Sequence, residues 1–178
     1  METSQKILAL DSSGLVASVA VVEGNSTYSN LLAEYTVNYK KTHSQTLLPM
    51  LDEIANMTEL DLTTIDAIAI AAGPGSFPGL RIGSATAKGL GLALKKPLIS
   101  IPTVDALAYN LYGTDRLICP IMDARRNQVY TGIYEFRGNT MEVLEPQMAV
   151  DIEVIAEKLC ERQQDVIFLG DGVPVFKD

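Results

Sequence analysis

The sequence predicts a mixed α/β chain in which one βββαβα unit is written twice. Three observations predict it. Two apolar strands, Lys6–Asp11 and Leu117–Met122, each run to an acid, Asp11 in the first case and Asp123 in the second. Each is followed by two more strand-like stretches and then by a run with helical spacing. Each half then returns to a short apolar strand that meets glycine, at Gly73 and again at Gly170. Recurrence of order, acid position and strand-to-glycine junction is the mark of duplication.

In the first half, Leu15–Val22 follows the Ser12-Ser13-Gly14 turn and is rich in the β-branched residues that suit strands. Tyr28–Val37 is the third strand. His43–Met57 changes to helical spacing, Asp66–Ala72 is a buried strand, and the glycine-rich loop Gly73–Gly79 leads into a helix ending near Lys95. Pro97–Ile101 closes the half. In the second half, Gln128–Phe136 and Met141–Val150 are strands joined by the Arg137-Gly138-Asn139 turn. Asp151–Arg162 is a helix with Asp151 at its N-cap and Ile152, Ile155, Ala156 and Leu159 as its apolar stripe. Asp165–Leu169 is the last strand. The expected lobes are residues 1–102 and 103–178, the second cut short because only eight residues follow Gly170. A duplicated βββαβα unit is the plan of the actin, hexokinase and Hsp70 group of folds, an analogy that settles no activity.

Composition narrows the function. With 47% hydrophobic residues among 178, the chain can bury a substantial core. Lys and Arg total 14 against 22 Asp and Glu, for a formal charge of −8. Such a surface repels phosphate backbones, which argues against holding tRNA unaided. Two cysteines are too few for a disulfide framework. The N-terminus has no signal-peptide pattern and no apolar run is long enough to span a bilayer, so the expectation is a cytoplasmic protein without membrane attachment.

Three loops carry candidate chemistry. In Asp11-Ser12-Ser13-Gly14, amides and hydroxyls are placed to meet phosphate and the carboxylate to hold Mg²⁺. The same residues also make an ordinary turn in which Asp11 bonds local amides, and on this loop alone the turn is favoured. The loop running from Gly73 through Gly75 and Gly79 to Arg81 points free amides above a helix, yet it closes with no Gly-Lys-Ser/Thr and is no Walker A loop. A rigid strand-to-helix connection explains it equally well. Asp123-Ala124-Arg125-Arg126 stands at the second phosphate hairpin, without the glycine that lets backbone approach phosphate. Its arginines suit acids of a partner or a nucleotide instead. His43 is the only histidine, which removes a histidine pair for metal and leaves no Ser-His-Asp set away from it.

Two helices carry candidate contacts. Leu47, Leu48, Met50, Leu51, Ile54, Ala55 and Met57 span roughly 180°, wider than the ~100° that one buried face needs. In the next helix Gly79, Gly83, Ala87 and Gly91 form one small-residue strip at i, i+4 spacing. The strip packs either on the chain's own sheet or against a second helix, and the broad arc of the preceding helix tips the reading toward the second.

Ile7-Leu-Ala-Leu-Asp-Ser-Ser13, His43-Ser-Gln-Thr-Leu-Leu-Pro-Met50, the loop Gly73-Pro-Gly-Ser-Phe-Pro-Gly-Leu-Arg-Ile-Gly83 and Asp123-Ala-Arg-Arg126 through Tyr130 together resemble the TsaB (YeaZ) family. The resemblance runs from the first strand to Gly172, and the glycine loop is its most specific piece. Pro78 departs from it, standing where the family usually has threonine. The resemblance implies a two-lobed actin-type fold, degenerate relative to TsaD, the subunit that transfers threonylcarbamoyl from its adenylate, made by TsaC, to adenosine 37 of tRNAs reading ANN codons. It implies binding to TsaD through first-lobe helices, a homodimer through the same surface, and an ATPase, TsaE, joining the pair. TsaD's two metal-binding histidines fall here on Thr103 and Leu107, neither of which suits a metal.

On this resemblance the chain is a scaffold and activator, with no catalytic residue, metal or cofactor of its own. ATP or ADP and metal are expected on the partner subunits, and tRNA is met only through the complex. The expected partner surface is His43, Leu47, Met50, Leu51, Ile54, Gly79, Ile82, Gly83 and Ala87. The expected vestigial phosphate loops are Asp11, Ser12, Ser13, Gly73, Gly75, Asp123, Arg125 and Arg126. The alternative is a small-molecule kinase or ATPase of the same fold, whose Mg²⁺-dependent turnover would fall on Asp11→Asn. A peptidase reading has no residues to support it.

Overall fold

The computed structural model describes residues 3–39 and 43–177. Its contacts divide the chain into one unit ending at Ile101 and a second beginning at Pro102. Each unit is built on its own sheet, and each follows the predicted βββαβα order.

The first sheet holds β1 (Gln5–Asp11), β2 (Ala17–Gly24), β3 (Ser29–Val37), β4 (Ala67–Ala71) and β5 (Leu98–Ile101), in the order β3-β2-β1-β4-β5. The first three strands form an antiparallel meander, and β4 and β5 add in parallel to β1. Parallel neighbours need crossovers, supplied by α1 (Leu47–Thr58) and α2 (Phe77–Leu94). Alternation puts Leu8 and Leu10, Val19 and Val21, and Ile68 and Ile70 on one face, where they join Leu47, Leu51, Ile54 and Ala87 of the two helices in one buried cluster. Ser76 caps α2 by accepting from the Gly79 N–H, with Pro78 in the first turn. A left-handed Glu59 ends α1 and a left-handed Lys95 ends α2.

The second unit opens with α3 (Thr103–Ala108), a helix that sequence periodicity does not reveal. Its sheet holds β6 (Leu117–Arg125), β7 (Gln128–Arg137), β8 (Thr140–Asp151) and β9 (Val166–Leu169) in the order β8-β7-β6-β9. The β6–β9 pair is parallel and spans α4 (Ile152–Arg162). Leu117, Cys119 and Ile121 face Ile155 and Leu159 of α4. Ile118 and Met122 face the other way, packing with Tyr134 against Val104 and Ala108 of α3. Burial on both faces explains why β6 reads as an unbroken apolar run. Burial also drives the Tyr134 hydroxyl far above its ordinary pKa, reinforced by its 2.7 Å hydrogen bond to Asp105 Oδ1. Asp151 does occupy the N-cap of α4, but its side chain makes no capping hydrogen bond. The helix after β9 is α5 (Val173–Phe176), a single turn where the first unit has the 18-residue α2.

Candidate functional site

The two acid-ended turns are built alike. Asp11 Oδ1 accepts the Ser13 N–H at 2.7 Å, and Asp123 Oδ1 accepts the Arg125 N–H at 2.7 Å. A carboxylate that bonds the amide two residues on is the ordinary Asx turn. In both units a glycine segment then presses onto the turn. Ser76 N–H donates to the Ser13 carbonyl at 2.6 Å, and the buried Ser12 hydroxyl donates to the Gly79 carbonyl at 2.9 Å. A Cβ on Gly75 would be driven into the Ser13 carbonyl, and one on Gly79 into the Ser12 carbonyl. Gly170 and Gly172 sit as tightly on the Ile121 carbonyl, and Asp171 Oδ1 accepts the Asp123 N–H at 3.1 Å. His43 Nε2 lies 2.9 Å from the Gly14 carbonyl. A carbonyl only accepts, so that nitrogen carries the proton.

Asp11, Ser12, Ser13, Gly73 and Gly75 are therefore brought together, with Gly73 in the left-handed region at φ 106°. The Ser12 hydroxyl, the Ser13 carbonyl and the Gly14 carbonyl are committed to the glycine loop and His43. This arrangement fixes the strand-to-helix junction. Among the described residues, no group of three or more His, Cys, Asp or Glu side chains is placed to hold a metal.

Beside the second turn lies a cleft. Arg125, Arg126 and Asn127 adopt left-handed φ values of 66°, 54° and 64°, one after another, where β6 bulges into β7. Asn127 Nδ2 donates to both oxygens of Glu153, at 2.9 and 3.1 Å, and its carbonyl accepts the Ile152 N–H at 3.2 Å. The turn is so pinned to the start of α4. It walls a cleft of about 720 Å³ with Asp123, while Ile152, Glu153 and Ala156 of α4 and Val175 and Phe176 of α5 form the rest. Val175 and Phe176 were not singled out by the sequence; no periodicity marks so short a helix.

The expected partner surface needs correction. Leu47, Met50, Leu51 and Ile54 are buried in the core of their own unit. Gly79, Gly83, Ala87 and Gly91 are buried too, because α2 lies close on its own sheet. A Cβ on Gly83 would meet the Ser12 hydroxyl and Ile70, and one on Gly91 would meet Leu98. The small-residue strip is thus a groove for the chain's own strands and not for a second helix. Ile82 is half-buried against that core, and His43 is half-buried at Gly14. Thr103 and Leu107 lie in α3, Leu107 packed against the second unit's core.

What α1 and α2 turn outward is a different set. Leu48 is 53% exposed, Met57 77%, Phe77 70% and Leu92 84%. Arg81 stacks its guanidinium over Phe77 at 5.5 Å, and a Cβ on Gly89 would meet nothing within 4 Å. The signal was present in the helical spacing Phe77, Arg81, Ala85, Lys88 and Leu92, opposite the glycine strip.

A family model described as TsaD, tRNA N6-adenosine threonylcarbamoyltransferase, matches residues 30–178. The chain is 34% identical over 171 residues to the tRNA threonylcarbamoyladenosine biosynthesis protein TsaB of Bacillus subtilis (strain 168), a match covering 96% of this chain and 73% of that one. The TsaB protein of Escherichia coli (strain K12) is 30% identical over 183 residues, covering 97% of this chain and 74% of its own. Among solved structures, YeaZ from Pseudomonas aeruginosa is 29% identical with a TM-score of 0.71, over 82% of this chain and 67% of that one.

Proposed function

Because the chain belongs to the TsaB (YeaZ) family of tRNA threonylcarbamoyladenosine biosynthesis proteins, we propose that it takes part in that biosynthesis as a non-catalytic subunit. Its partner in this reading is TsaD, joined by TsaE, with ATP or ADP and metal held on those subunits and tRNA met only through the assembly. The contact surface is the outer side of α1 and α2. The observation that carries it is the set of exposed apolar residues there, Phe77 and Leu92 along one side of α2 and Leu48 and Met57 on the two flanks of the buried face of α1. Exposed apolar residues of this kind gain by pairing with helices of a second subunit. In isolation the same residues serve for a homodimer. Docked on TsaD, they favour its competent lobe arrangement by binding that arrangement more tightly.

The closed Asp11 turn and the glycine-free Asp123 turn support the non-catalytic role, since each carboxylate is taken up by an amide of its own turn, the Ser13 N–H and the Arg125 N–H. The test is reconstitution: this chain, TsaD, TsaE and TsaC of one organism with tRNA, threonine, bicarbonate and ATP, with this chain present or left out. Modified adenosine is expected only in its presence, and Asp11→Asn is expected to leave the yield unchanged. Equal yield without the chain, or loss of yield in Asp11→Asn with ATP turnover by the chain alone, overturns the reading.

A further inference from the structure

We propose that two copies of this chain meet face to face with α1 of each laid over α2 of the other, Asp52 of one copy standing against Lys88 of the second. This pairing rests on the reading that the outer side of α1 and α2 is a contact surface, and it adds which helix meets which. The two helices carry opposite signs there. On α1 the exposed Asp52 and Glu53 stand between Leu48 and Met57, and the helix holds no base. On α2 the exposed Arg81 and Lys88 stand between Phe77 and Leu92, and the helix holds no acid. None of these four charges makes an ion pair among the described residues. Asp52 accepts a long hydrogen bond from Asn56, at 3.3 Å, and Arg81 stacks over Phe77.

Topology limits the ways in which two such faces can meet. β3, β4 and β5 all run parallel to β1, so α1 and α2 both cross back against the strands and lie side by side in the same direction. A closed pair of copies is two-fold symmetric. A two-fold running across the helices sets α1 on α1 and α2 on α2, acid on acid and base on base. A two-fold running along them sets α1 on α2 in both halves of the contact, and each acid then faces a base. Like charges brought together cost more than an exposed pair gains, so charge selects the second arrangement. That rotation also preserves height along the helices. A Cβ on Gly79 of α2 would meet the His43 ring at 3.3 Å, so these two residues share one level. The short turn His43–Gln45 runs on into α1, with the Thr46 N–H donating to His43 and the Met50 N–H to Thr46. Nine residues beyond His43 stands Asp52, and nine beyond Gly79 stands Lys88, about 14 Å along in each case. The rotation therefore brings Asp52 and Lys88 together twice. Such pairs at a rim fix orientation, while the affinity comes from the apolar residues beside them.

The experiment is sedimentation equilibrium of the full chain and of charge-reversed variants, with Leu92→Glu as the probe of the surface itself. Lys88→Glu and Asp52→Lys/Glu53→Lys change exposed positions only and are expected to keep the parent's melting temperature. Alone, each is expected to self-associate at least about tenfold more weakly than the parent, and an equimolar mixture of the two is expected to regain the parent's association. Net charge alone predicts otherwise, because Asp52→Lys/Glu53→Lys leaves the chain less acidic and would tighten it. Parent-like association of each charge variant, or a mixture no tighter than its components, overturns the proposal. If Leu92→Glu still loses association in that case, the contact surface stands and only the pairing of helices falls. Unchanged association in Leu92→Glu overturns the surface and the pairing together, and a parent that stays monomeric overturns the pairing outright.

Discussion

Gly79 and Gly89 stand in the same helix and answer oppositely to a methyl group. At Gly79 a Cβ has no room beside the Ser12 carbonyl, and backbone cannot yield as a flexible side chain does. Gly79→Ala is expected to cost about 1–3 kcal/mol by overpacking. At Gly89 the added carbon meets only open space, so Gly89→Ala is expected to gain about 1 kcal/mol of helix propensity. Urea denaturation of both variants decides it; a Gly79→Ala chain as stable as the parent would refute the close approach. The glycines themselves were legible in the sequence, and so was their shared strip. Which side that strip faces was not, because i, i+4 spacing is the same whether the groove admits a strand of the same chain or a helix of another. The same holds for Leu47, Met50, Leu51 and Ile54. An apolar arc wider than one face reveals that part of it is buried, without saying which part.

Helix α4 is fastened to β8 by one carboxylate. Glu145 accepts from Lys158 Nζ at 2.9 Å and lies 3.4 Å from Arg162 Nη2, two residues one turn apart on the helix. The Lys158 hydrogen bond, opposed by some desolvation, holds the Glu145 carboxyl below its ordinary value of 4.5. A lowered folded-state value means stability that is present above 4.5 and is lost as pH falls through the lowered value. Glu145→Gln is therefore expected to cost less than about 1 kcal/mol at neutral pH, since the pair is partly exposed. The difference from the parent should shrink as the medium is acidified from about pH 5 toward about pH 3. Urea is the denaturant to use, because guanidinium screens the pair. A difference independent of pH would assign the loss to packing instead. The long elements α1, α2, α4 and the strands were readable within a few residues of their ends. Helix α3 was not, since its six residues span less than two turns and its place depends on Val104 and Ala108 packing under β6.

The duplication is visible down to a single hydrogen bond, the Asx turn at Asp11 and at Asp123, and that is why the order of the whole chain could be read from it. The halves then diverge in use. The first unit exposes apolar residues on its helices, while the second carries a cleft lined by Asp123, Glu153, Arg125 and Arg126. Association through Leu48, Met57, Phe77 and Leu92 buries apolar area, and two chains of formal charge −8 repel as they meet. Salt screens that repulsion, with a Debye length of about 10 Å at 0.1 M falling to about 3 Å at 1 M. Self-association measured by sedimentation is thus expected to hold or strengthen as salt rises. Leu48→Glu and Leu92→Glu place a carboxylate on residues already half or more exposed, so the fold should survive while association falls at least about tenfold. Association that weakens with salt, or that persists in both variants, would move the contact away from α1 and α2 and leave their exposed apolar residues without a role.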